Sequence, residues 1–219
     1  MAKKKNITRD DIYSMYMDYV LKNGKSPINV YTFSKENNFD ESLFYQFFGS
    51  FTAVERSIFA AFFENTIALL ENNKEYNGFD NRNKLLSFYF TLFENLTANR
   101  SFVLSVLSPD KDKLKSLSLL NELRKKFRTF IRSLEIRPIP LNDMKLEKIQ
   151  ERTIEESAWT QLLVTIKFWM SDSSPSFEKT DVFIEKAVNA SFDLIDNPPL
   201  KSIIDLGKFL VKEKFNMSM

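Results

Sequence analysis

The stretch NNFDESLFYQFFGSFTAVE, residues 37 to 55, shows most clearly how the chain is organised into helices. Asp40 is a favourable N-cap residue, so a short helix is predicted to begin directly after it. Thr52 and Glu55 form a T-x-x-E capping box, which predicts that a second helix begins there and runs to about residue 73. A short aromatic helix followed at once by a long one predicts a small helical head joined to a larger helical body.

Proline positions divide the rest of the chain into segments of helical period, because proline breaks a helix interior. All 7 prolines lie between such segments. The first segment ends at Gly24, a typical C-cap residue, and places one face of side chains inward: Ile12, Met15, Tyr16, Tyr19 and Val20. Two short helices fit between residues 29 and 48, and longer ones are predicted near 82–96, 100–107, 110–134, 147–171, 176–195 and 200–215. No strand alternation occurs, so the sequence predicts an all-α fold of about ten helices.

Histidine and cysteine are both absent from the 219 residues. Their absence excludes a Ser-His-Asp triad, a cysteine nucleophile and a zinc site built from imidazole or thiolate. The 4 glycines form neither a GxGxxG nor a GxxxxGKS phosphate-binding loop. An enzyme is therefore not expected, and no cofactor or metal site is predicted.

The composition is that of an ordinary soluble protein, with 43% hydrophobic and 27% charged residues. No apolar run approaches the roughly 20 residues that a membrane span requires. The first residues, MAKKKNITRDD, lack the apolar segment of a secretory signal. A cytoplasmic location is therefore predicted.

Residues 7 to 62 follow the order helix, short helix, turn, short helix, long helix. Gly24 closes the first helix, and Val30 and Phe33 are apolar anchors of the second. The later positions of the pattern are Phe39-Asp40, Phe44-Tyr45-Gln46-Phe47-Phe48, Ser50, Ala53 and Val54. This order and spacing resemble the N-terminal domain of TetR-type transcriptional regulators. The resemblance implies a TetR-like fold, with a helix-turn-helix DNA-binding domain over residues 1–50 and a ligand-binding and dimerisation domain over residues 51–219.

For DNA binding, the resemblance implies contacts from eight residues: Lys4, Lys5, Thr8, Thr32, Glu41, Ser42, Tyr45 and Gln46. Two positions depart from the family pattern, since Leu43 replaces a small hydroxyl residue and Phe51 replaces a lysine. Residues 26–50 carry a net charge of −2, whereas phosphate neutralisation requires cations, so weakened DNA binding is predicted. Residues 1–25 carry a net charge of +3 and form either a DNA-backbone contact or a solvated arm.

Large apolar side chains recur at helical spacing in the second predicted domain: Phe90, Phe93, Phe102, Phe127, Trp159, Leu163, Phe168 and Trp169. Such stripes are typical of a helical core, and in TetR-type proteins the same region encloses an effector cavity. The second interpretation predicts a largely apolar ligand pocket. Thr160, Gln161 and Thr165 are then the candidates to orient the polar end of a ligand.

A second resemblance concerns the segment that begins Asp172-Ser173-Ser174-Pro175 and continues with Phe177-Glu178, Thr180, Phe183 and Glu185. It is similar to the C-terminal region of the ubiquinone-biosynthesis accessory lipid-binding family, whose members have a TetR-like fold. This similarity implies binding of a lipid or isoprenoid, loss of DNA binding, and membrane contact through a C-terminal helix. Ser-Pro followed by acidic residues is also an ordinary helix start.

Residues 200–215 have the pattern of an amphipathic helix, with lysines opposite an apolar arc. The arc consists of Leu200, Ile203, Ile204, Leu206, Leu210, Val211 and Phe215. Such a helix docks on its own domain or on a partner, or it lies on a membrane surface.

The TetR resemblance implies a homodimer through the helices near 147–171 and 176–195. The first functional hypothesis is a ligand-responsive transcriptional regulator that binds DNA as this homodimer and an apolar effector in its C-terminal domain. The alternative is a TetR-fold accessory protein that binds a lipid or isoprenoid and has lost DNA binding.

Overall fold

The computed structural model describes residues 7–107, 113–136 and 144–196, and every regular element in these ranges is a helix. The α-helices are α1 (Arg9–Asn23), α2 (Val30–Glu36), α3 (Glu41–Phe47), α4 (Phe51–Glu71), α5 (Asn81–Ala98), α6 (Arg100–Leu107), α7 (Lys113–Leu119), α8 (Asn121–Ser133), α9 (Met144–Ser171) and α10 (Glu178–Asp196). Short 3₁₀ turns lie at Tyr76–Gly78 and Pro175–Phe177. The predicted all-α fold is confirmed. The start of the helix predicted over 110–134 and the predicted helix over 200–215 lie outside the described residues.

The first helix ends where the sequence predicts, and its start is defined by a capping box. Thr8 caps α1 through a capping box, in which its hydroxyl accepts from the Asp11 amide and the Asp11 carboxylate accepts from the Thr8 amide. Gly24 ends the helix with φ 67°, a left-handed conformation that glycine adopts without a Cβ clash.

The start of α4 was predicted at the wrong residue. Ser50, and not Thr52, is the N-cap, since its side chain accepts a hydrogen bond of 3.2 Å from the Ala53 amide. Ser50 has the extended backbone that a cap requires, whereas Thr52 already lies within the helix. Glu55 cannot complete a capping box with Thr52, because it is buried and accepts a hydrogen bond of 2.7 Å from the Tyr16 hydroxyl.

The single helix predicted over 110–134 is also wrong, because the chain forms two helices with a turn at Leu120. The Leu120 amide donates at 3.1 Å to the carbonyl of Leu117, three residues earlier, whereas an α-helix uses the carbonyl four residues earlier. Leu119, Leu120 and Leu123 are all buried. All three side chains on and around this turn are therefore buried, which helical periodicity alone does not predict.

The chain divides into two compact units, and the division falls within α5 and within α8. Of the described residues, one unit contains those up to Asn73 and those within Thr91–Phe127, and the other contains Lys74–Phe90 and those from Arg128 to Asp196. The predicted boundary near residue 50 lies inside the first unit, so the helix-turn-helix segment is one part of that unit.

In the first unit, Phe33 of α2 lies at the centre of an aromatic core. It is fully buried, and its ring packs edge-on against five others at centroid distances of 5.4 to 6.4 Å: Tyr16, Tyr19, Phe39, Phe44 and Phe51. Edge-to-face contacts of this kind add to the free energy gained by burying the rings. The core holds α2 and α3 against α1 and the start of α4.

Tyr16 links four elements of the same unit. Its ring contacts Phe102 of α6 at 6.3 Å, and its hydroxyl lies 2.9 Å from the Ser26 hydroxyl in addition to its bond to Glu55. Burial raises the pKa of Tyr16 above its usual range, so the phenol keeps the proton that it donates to Glu55. A second hydroxyl pair, Tyr13 with Ser57 at 2.7 Å, also joins α1 to α4.

In the second unit, α9 and α10 form an antiparallel hairpin. Leu162, Ile166 and Trp169 of α9 are buried, as are Ile184 and Val188 of α10. The spacings of three and four residues place these side chains on one face of each helix. No helix among the described residues is long and apolar enough to cross a membrane.

The turn between α9 and α10 is organised around the Asp172 carboxylate, which accepts four hydrogen bonds. Ser174 donates through its amide at 2.8 Å and its hydroxyl at 2.7 Å, and Thr180 donates through its amide at 3.0 Å and its hydroxyl at 2.7 Å. Burial alone would raise the pKa of Asp172, but the four donors hold that pKa well below its usual range. The charged carboxylate therefore stabilises the hairpin.

This network predicts a specific pH dependence of stability. In an unfolded chain Asp172 titrates near pH 3.9, so its contribution is complete above about pH 5 and is lost as the pH falls toward the lower folded pKa. We expect Asp172→Asn to lower the Tm at neutral pH and to reduce the loss of Tm between about pH 5 and about pH 3. Thermal melts followed by circular dichroism measure both.

The control for this prediction is Asp193→Asn, which removes a carboxylate that is 64% exposed and pairs with Arg82 at 2.8 Å. An exposed pair contributes little, so this variant should keep the wild-type pH profile. If Asp172→Asn and Asp193→Asn had the same profile as the wild type, Asp172 would have no such role.

Candidate functional site

The helix-turn-helix segment presents one face of α3 to solvent. Ser42, Tyr45 and Gln46 are exposed, with Tyr45 54% exposed, and Glu41 is half-buried. Phe44, on the opposite face, is fully buried and packs against Phe33, Phe48 and Phe51. The aromatic core therefore fixes α3 so that its polar side chains point outward. Four of the predicted DNA-binding residues lie together on this helix.

The other predicted DNA-binding residues differ in their surroundings. Thr32 is half-buried in the first turn of α2, where its amide donates to the Asn29 side chain at 2.8 Å. The Thr8 hydroxyl is engaged with Asp11 in the cap of α1, at 2.8 Å from the carboxylate. Lys4 and Lys5 lie outside the described residues.

Two exposed apolar residues near the start of α2 were not among the predicted site residues. Ile28 is 82% exposed, and Tyr31 is 57% exposed with the Lys35 ammonium 5.6 Å from its ring centroid. The sequence carried a signal for Tyr31, since it precedes the core residue Phe33 by two positions and so lies off the buried face. Large side chains exposed beside a helix-turn-helix are available to a binding partner.

The electrostatics of residues 7–50 do not favour polyanions. This segment contains four basic and six acidic side chains, a net charge of −2. Lys22 bonds to Asp18 at 2.7 Å, and the Arg9 guanidinium lies 5.5 Å from the Phe48 ring centroid, so these cations already contact the protein. Phosphate neutralisation supplies most non-specific DNA affinity. The described charges of this segment would therefore contribute little to non-specific DNA affinity.

The eight predicted pocket residues fall into two groups. Phe93, Phe102 and Phe127 belong to the first unit and are buried there, whereas Phe90, Trp159, Leu163, Phe168 and Trp169 belong to the second. Phe102 packs on Tyr16, and Phe168 stacks on Phe183 with ring centroids 4.7 Å apart. Phe90 is 36% exposed. Several of these side chains thus serve as packing residues within one unit, and their role as a joint ligand pocket stays a prediction.

The three polar candidates of α9 make bonds within the hairpin. The hydroxyls of Thr160 and Thr165 each donate at 2.8 Å to the backbone carbonyl four residues earlier. The Gln161 side-chain carbonyl accepts from the Ser191 hydroxyl of α10 at 2.9 Å. Thr165 is buried and Thr160 is exposed, whereas the buried Nε2 of Gln161 has no hydrogen-bond partner in the described structure.

A charge cluster between α8 and α9 was not predicted. The Glu155 carboxylate, whose side chain is 2% exposed, lies between two arginines: Arg128 donates through Nε at 2.9 Å and Arg132 through Nε at 2.8 Å. Arg128 also pairs with Glu156 at 3.1 Å. The sequence shows that the two arginines are four residues apart. No pattern in the neighbouring residues predicts that Glu155 is their partner, because it lies more than 20 residues further along the chain. Among the described residues no group of three or more potential metal ligands occurs.

A separate surface feature is a shallow groove of about 590 Å³ along α9. Its described lining is Ile149, Arg152, Thr153, Glu156, Ser157 and Thr160. None of the eight predicted pocket residues lines it.

The chain matches a model of a known protein family. The model described as "Tetracyclin repressor-like, C-terminal domain" matches residues 84–210, which is more than half of the chain. No curated protein and no solved structure matches the chain significantly. The match covers α5 to α10 and agrees with the all-helical architecture. The chain therefore belongs to the tetracyclin repressor-like family.

Proposed function

We propose that this protein is a ligand-responsive transcriptional regulator of the TetR type, which binds DNA through its helix-turn-helix as a homodimer. The observation that carries this proposal is the exposed face of α3, where Ser42, Tyr45 and Gln46 stand on a rigid aromatic core. Hydroxyl and amide side chains on a helix of this kind can bind base edges in the major groove. Membership of the tetracyclin repressor-like family supports the same function.

The outer face of the α9–α10 hairpin supports the proposed homodimer. It carries uncharged residues on both helices, including Val164, Phe168, Phe183, Ala190 and Leu194. Val164 is 50% exposed and Leu194 is 60% exposed. Apolar residues on the outside of two antiparallel helices are suited to a four-helix interface with a second copy.

The effector in this proposal is an apolar molecule bound by the C-terminal helices. It acts by favouring one of two arrangements of the paired heads, a shift between DNA-competent and DNA-incompetent populations. The abundance of phenylalanine in the chain, 22 residues, supports an apolar ligand over a charged one.

The test is selection of DNA fragments from a random pool by the purified full-length protein at low salt, followed by titration of the selected site. We expect Tyr45→Ala to weaken binding to that site by on the order of tenfold, as loss of one groove contact does. The control is Leu69→Ala on α4, since Leu69 is 50% exposed and lies outside the helix-turn-helix. If no fragment is enriched, the regulatory function is excluded; if Tyr45→Ala and Leu69→Ala bind equally well, α3 is not the reading helix.

The negative charge of residues 7–50 favours a second candidate, a TetR-fold accessory protein that binds a lipid or isoprenoid and does not bind DNA. Organic extraction of the purified chain followed by mass spectrometry tests it. A copurifying isoprenoid or lipid together with no enriched DNA would establish this candidate, and an empty extract would exclude it.

A further inference from the structure

The α3 helix carries no cation on the face that it presents to solvent. Its seven residues, Glu41–Phe47, include neither arginine nor lysine. Lys35 is the one basic side chain between residues 26 and 50, all of which the structure describes, and it lies on α2 with its ammonium 5.6 Å from the Tyr31 ring centroid. In a helix-turn-helix the first helix crosses the DNA backbone, which places Lys35 toward phosphates. The side chains that read guanine through its O6 and N7 atoms are therefore missing from α3.

Three uncharged polar residues form one patch on this face: Ser42, Tyr45 and Gln46. Ser42 precedes Tyr45 by three residues and Gln46 by four, and side chains at these spacings are neighbours on a helix. Among the residues that the structure describes, neither the Gln46 amide nor the Ser42 hydroxyl forms a hydrogen bond within the protein. Both groups are therefore available to an external partner.

Gln46 has the donor and acceptor pattern that matches adenine. Its side-chain amide donates through Nε2 and accepts through Oε1, while adenine presents the N6 amine and the N7 acceptor in the major groove. This pairing makes two hydrogen bonds at once and distinguishes adenine from the other bases. An exposed glutamine amide on α3 thus favours an A·T base pair.

Tyr45 supplies an apolar surface beside that amide. Its side chain is 54% exposed, and its ring packs edge-on against the buried Phe44 ring with centroids 5.6 Å apart. This contact holds the Tyr45 ring against the aromatic core while the rest of its surface stays open to solvent. In the major groove, thymine offers its C5-methyl group to apolar and aromatic side chains. Tyr45 therefore favours an A·T base pair as well.

Glu41 is the one charged residue of α3 and lies at the opposite end of the helix from Gln46. It is half-buried, and its carboxylate accepts from a base amine such as that of cytosine. From Ser42 to Gln46 the helix rises about 6 Å, the height of about two base pairs. The preference for A·T thus concerns the two adjoining base pairs that Tyr45 and Gln46 reach.

We propose that α3 selects A·T base pairs in the major groove, with the Gln46 amide on an adenine and the Tyr45 ring on a thymine methyl group. This inference rests on the proposed DNA-binding function and specifies the sequence that the same face reads. The negative charge of residues 7–50 makes these two contacts more important, because phosphate neutralisation by this segment contributes little affinity.

The first test repeats the selection from a random DNA pool with three full-length proteins: the natural chain, Gln46→Arg and Leu69→Arg. Arginine bonds to guanine O6 and N7, so Gln46→Arg should replace the selected adenine by guanine at one position of each half-site. Titration of both sites should show preferences on the order of tenfold, in opposite directions for the natural chain and Gln46→Arg. Leu69→Arg adds the same charge at an exposed position of α4 and should keep the natural preference.

The second test removes single methyl groups from the selected site by replacing each thymine in turn with uracil. For the natural chain, one replacement in each half-site should weaken binding about fourfold, the effect of one buried methyl group. Tyr45→Ala should bind the thymine and uracil forms of that site equally well, because the ring that contacts the methyl group is gone. Circular dichroism of each variant checks that the helical fold is retained.

The inference fails, and the DNA-binding function stands, if Gln46→Arg selects the natural site or changes a position that is not an adenine. Equal effects of uracil on the natural chain and on Tyr45→Ala would overturn the thymine contact. If the natural chain enriches no fragment, the proposed function fails and this inference fails with it. The two failures are therefore distinguishable in one set of selections.

Discussion

Replacing Glu155 with Gln is expected to lower the free energy of unfolding by about 3 kcal/mol. The Glu155 carboxylate is 2% exposed and accepts hydrogen bonds from both Arg128 and Arg132. Removal of its charge leaves two guanidinium groups close together with no buried anion between them. Breaking a buried pair by removing one partner is costly for this reason.

The size of the effect follows from the exposure of the two arginines. Their side chains are 30% and 60% exposed, so water can partly hydrate the guanidinium groups once the carboxylate is gone. The loss should therefore lie at the lower end of the range for buried pairs, which is about 3 to 5 kcal/mol. Urea denaturation followed by far-ultraviolet circular dichroism gives the free energy of unfolding.

Glu156 provides a matched control at the next position. Its carboxylate pairs with the same Arg128 at 3.1 Å, but its side chain is 43% exposed. Glu156→Gln should change the free energy of unfolding by less than about 1 kcal/mol, as exposed ion pairs do. Similar losses for the two variants would show that the burial of Glu155 is not what makes it important, and a negligible loss for Glu155→Gln would contradict the account of the cluster.

Phe33→Ala is expected to destabilise the first unit by about 4 kcal/mol. The side chain is fully buried, and its ring contacts five others that come from α1, α3, α4 and the turn between α2 and α3. A large cavity would remain, since α2 and α3 are each only 7 residues long and have little other buried surface. We expect α3 to lose its fixed orientation and the protein to lose binding to any selected DNA site.

Tyr31→Ala on the same helix is the matched comparison, because it removes an exposed aromatic side chain that could contact DNA and leaves the buried core intact. Tyr31 is 57% exposed, so its removal should change the free energy of unfolding by no more than about 0.5 kcal/mol. Denaturation of both variants and DNA titration of both give a clear comparison. A stable Phe33→Ala protein would refute the aromatic-core argument, whereas weaker DNA binding by a stable Tyr31→Ala protein would add Tyr31 to the reading surface.

Much of the helical organisation could be predicted because its signals are local. Gly24 ends α1 where the pattern indicated, and the segment near 147–171 is the helix Met144–Ser171. The errors also have local causes. Ser50 and Thr52 are both competent caps, and only the backbone conformation distinguishes them. The turn at Leu120 has neither glycine nor proline to mark it.

The candidate site was only partly predictable. The TetR resemblance implied that Tyr45 and Gln46 belong to the DNA-binding helix, and the structure places both on the exposed face of α3, opposite Phe44. The aromatic residues of the second half were harder to interpret. An aromatic residue at helical spacing looks the same in the sequence whether it lines a pocket or fills the core. In the structure, Phe102 packs on Tyr16, and Phe168 packs on Phe183.

By itself, the amino-acid sequence determined the all-α class and the order of the short and long helices in the first 73 residues, since both depend on residues close together along the chain. The tertiary structure alone decided which distant residues meet: Glu155 with Arg128 and Arg132, Asp172 with Thr180, and Tyr16 with Glu55. The physical reason is that a charge or hydroxyl finds its partner only after the helices have packed, and periodicity along one helix contains no information about the surface of another.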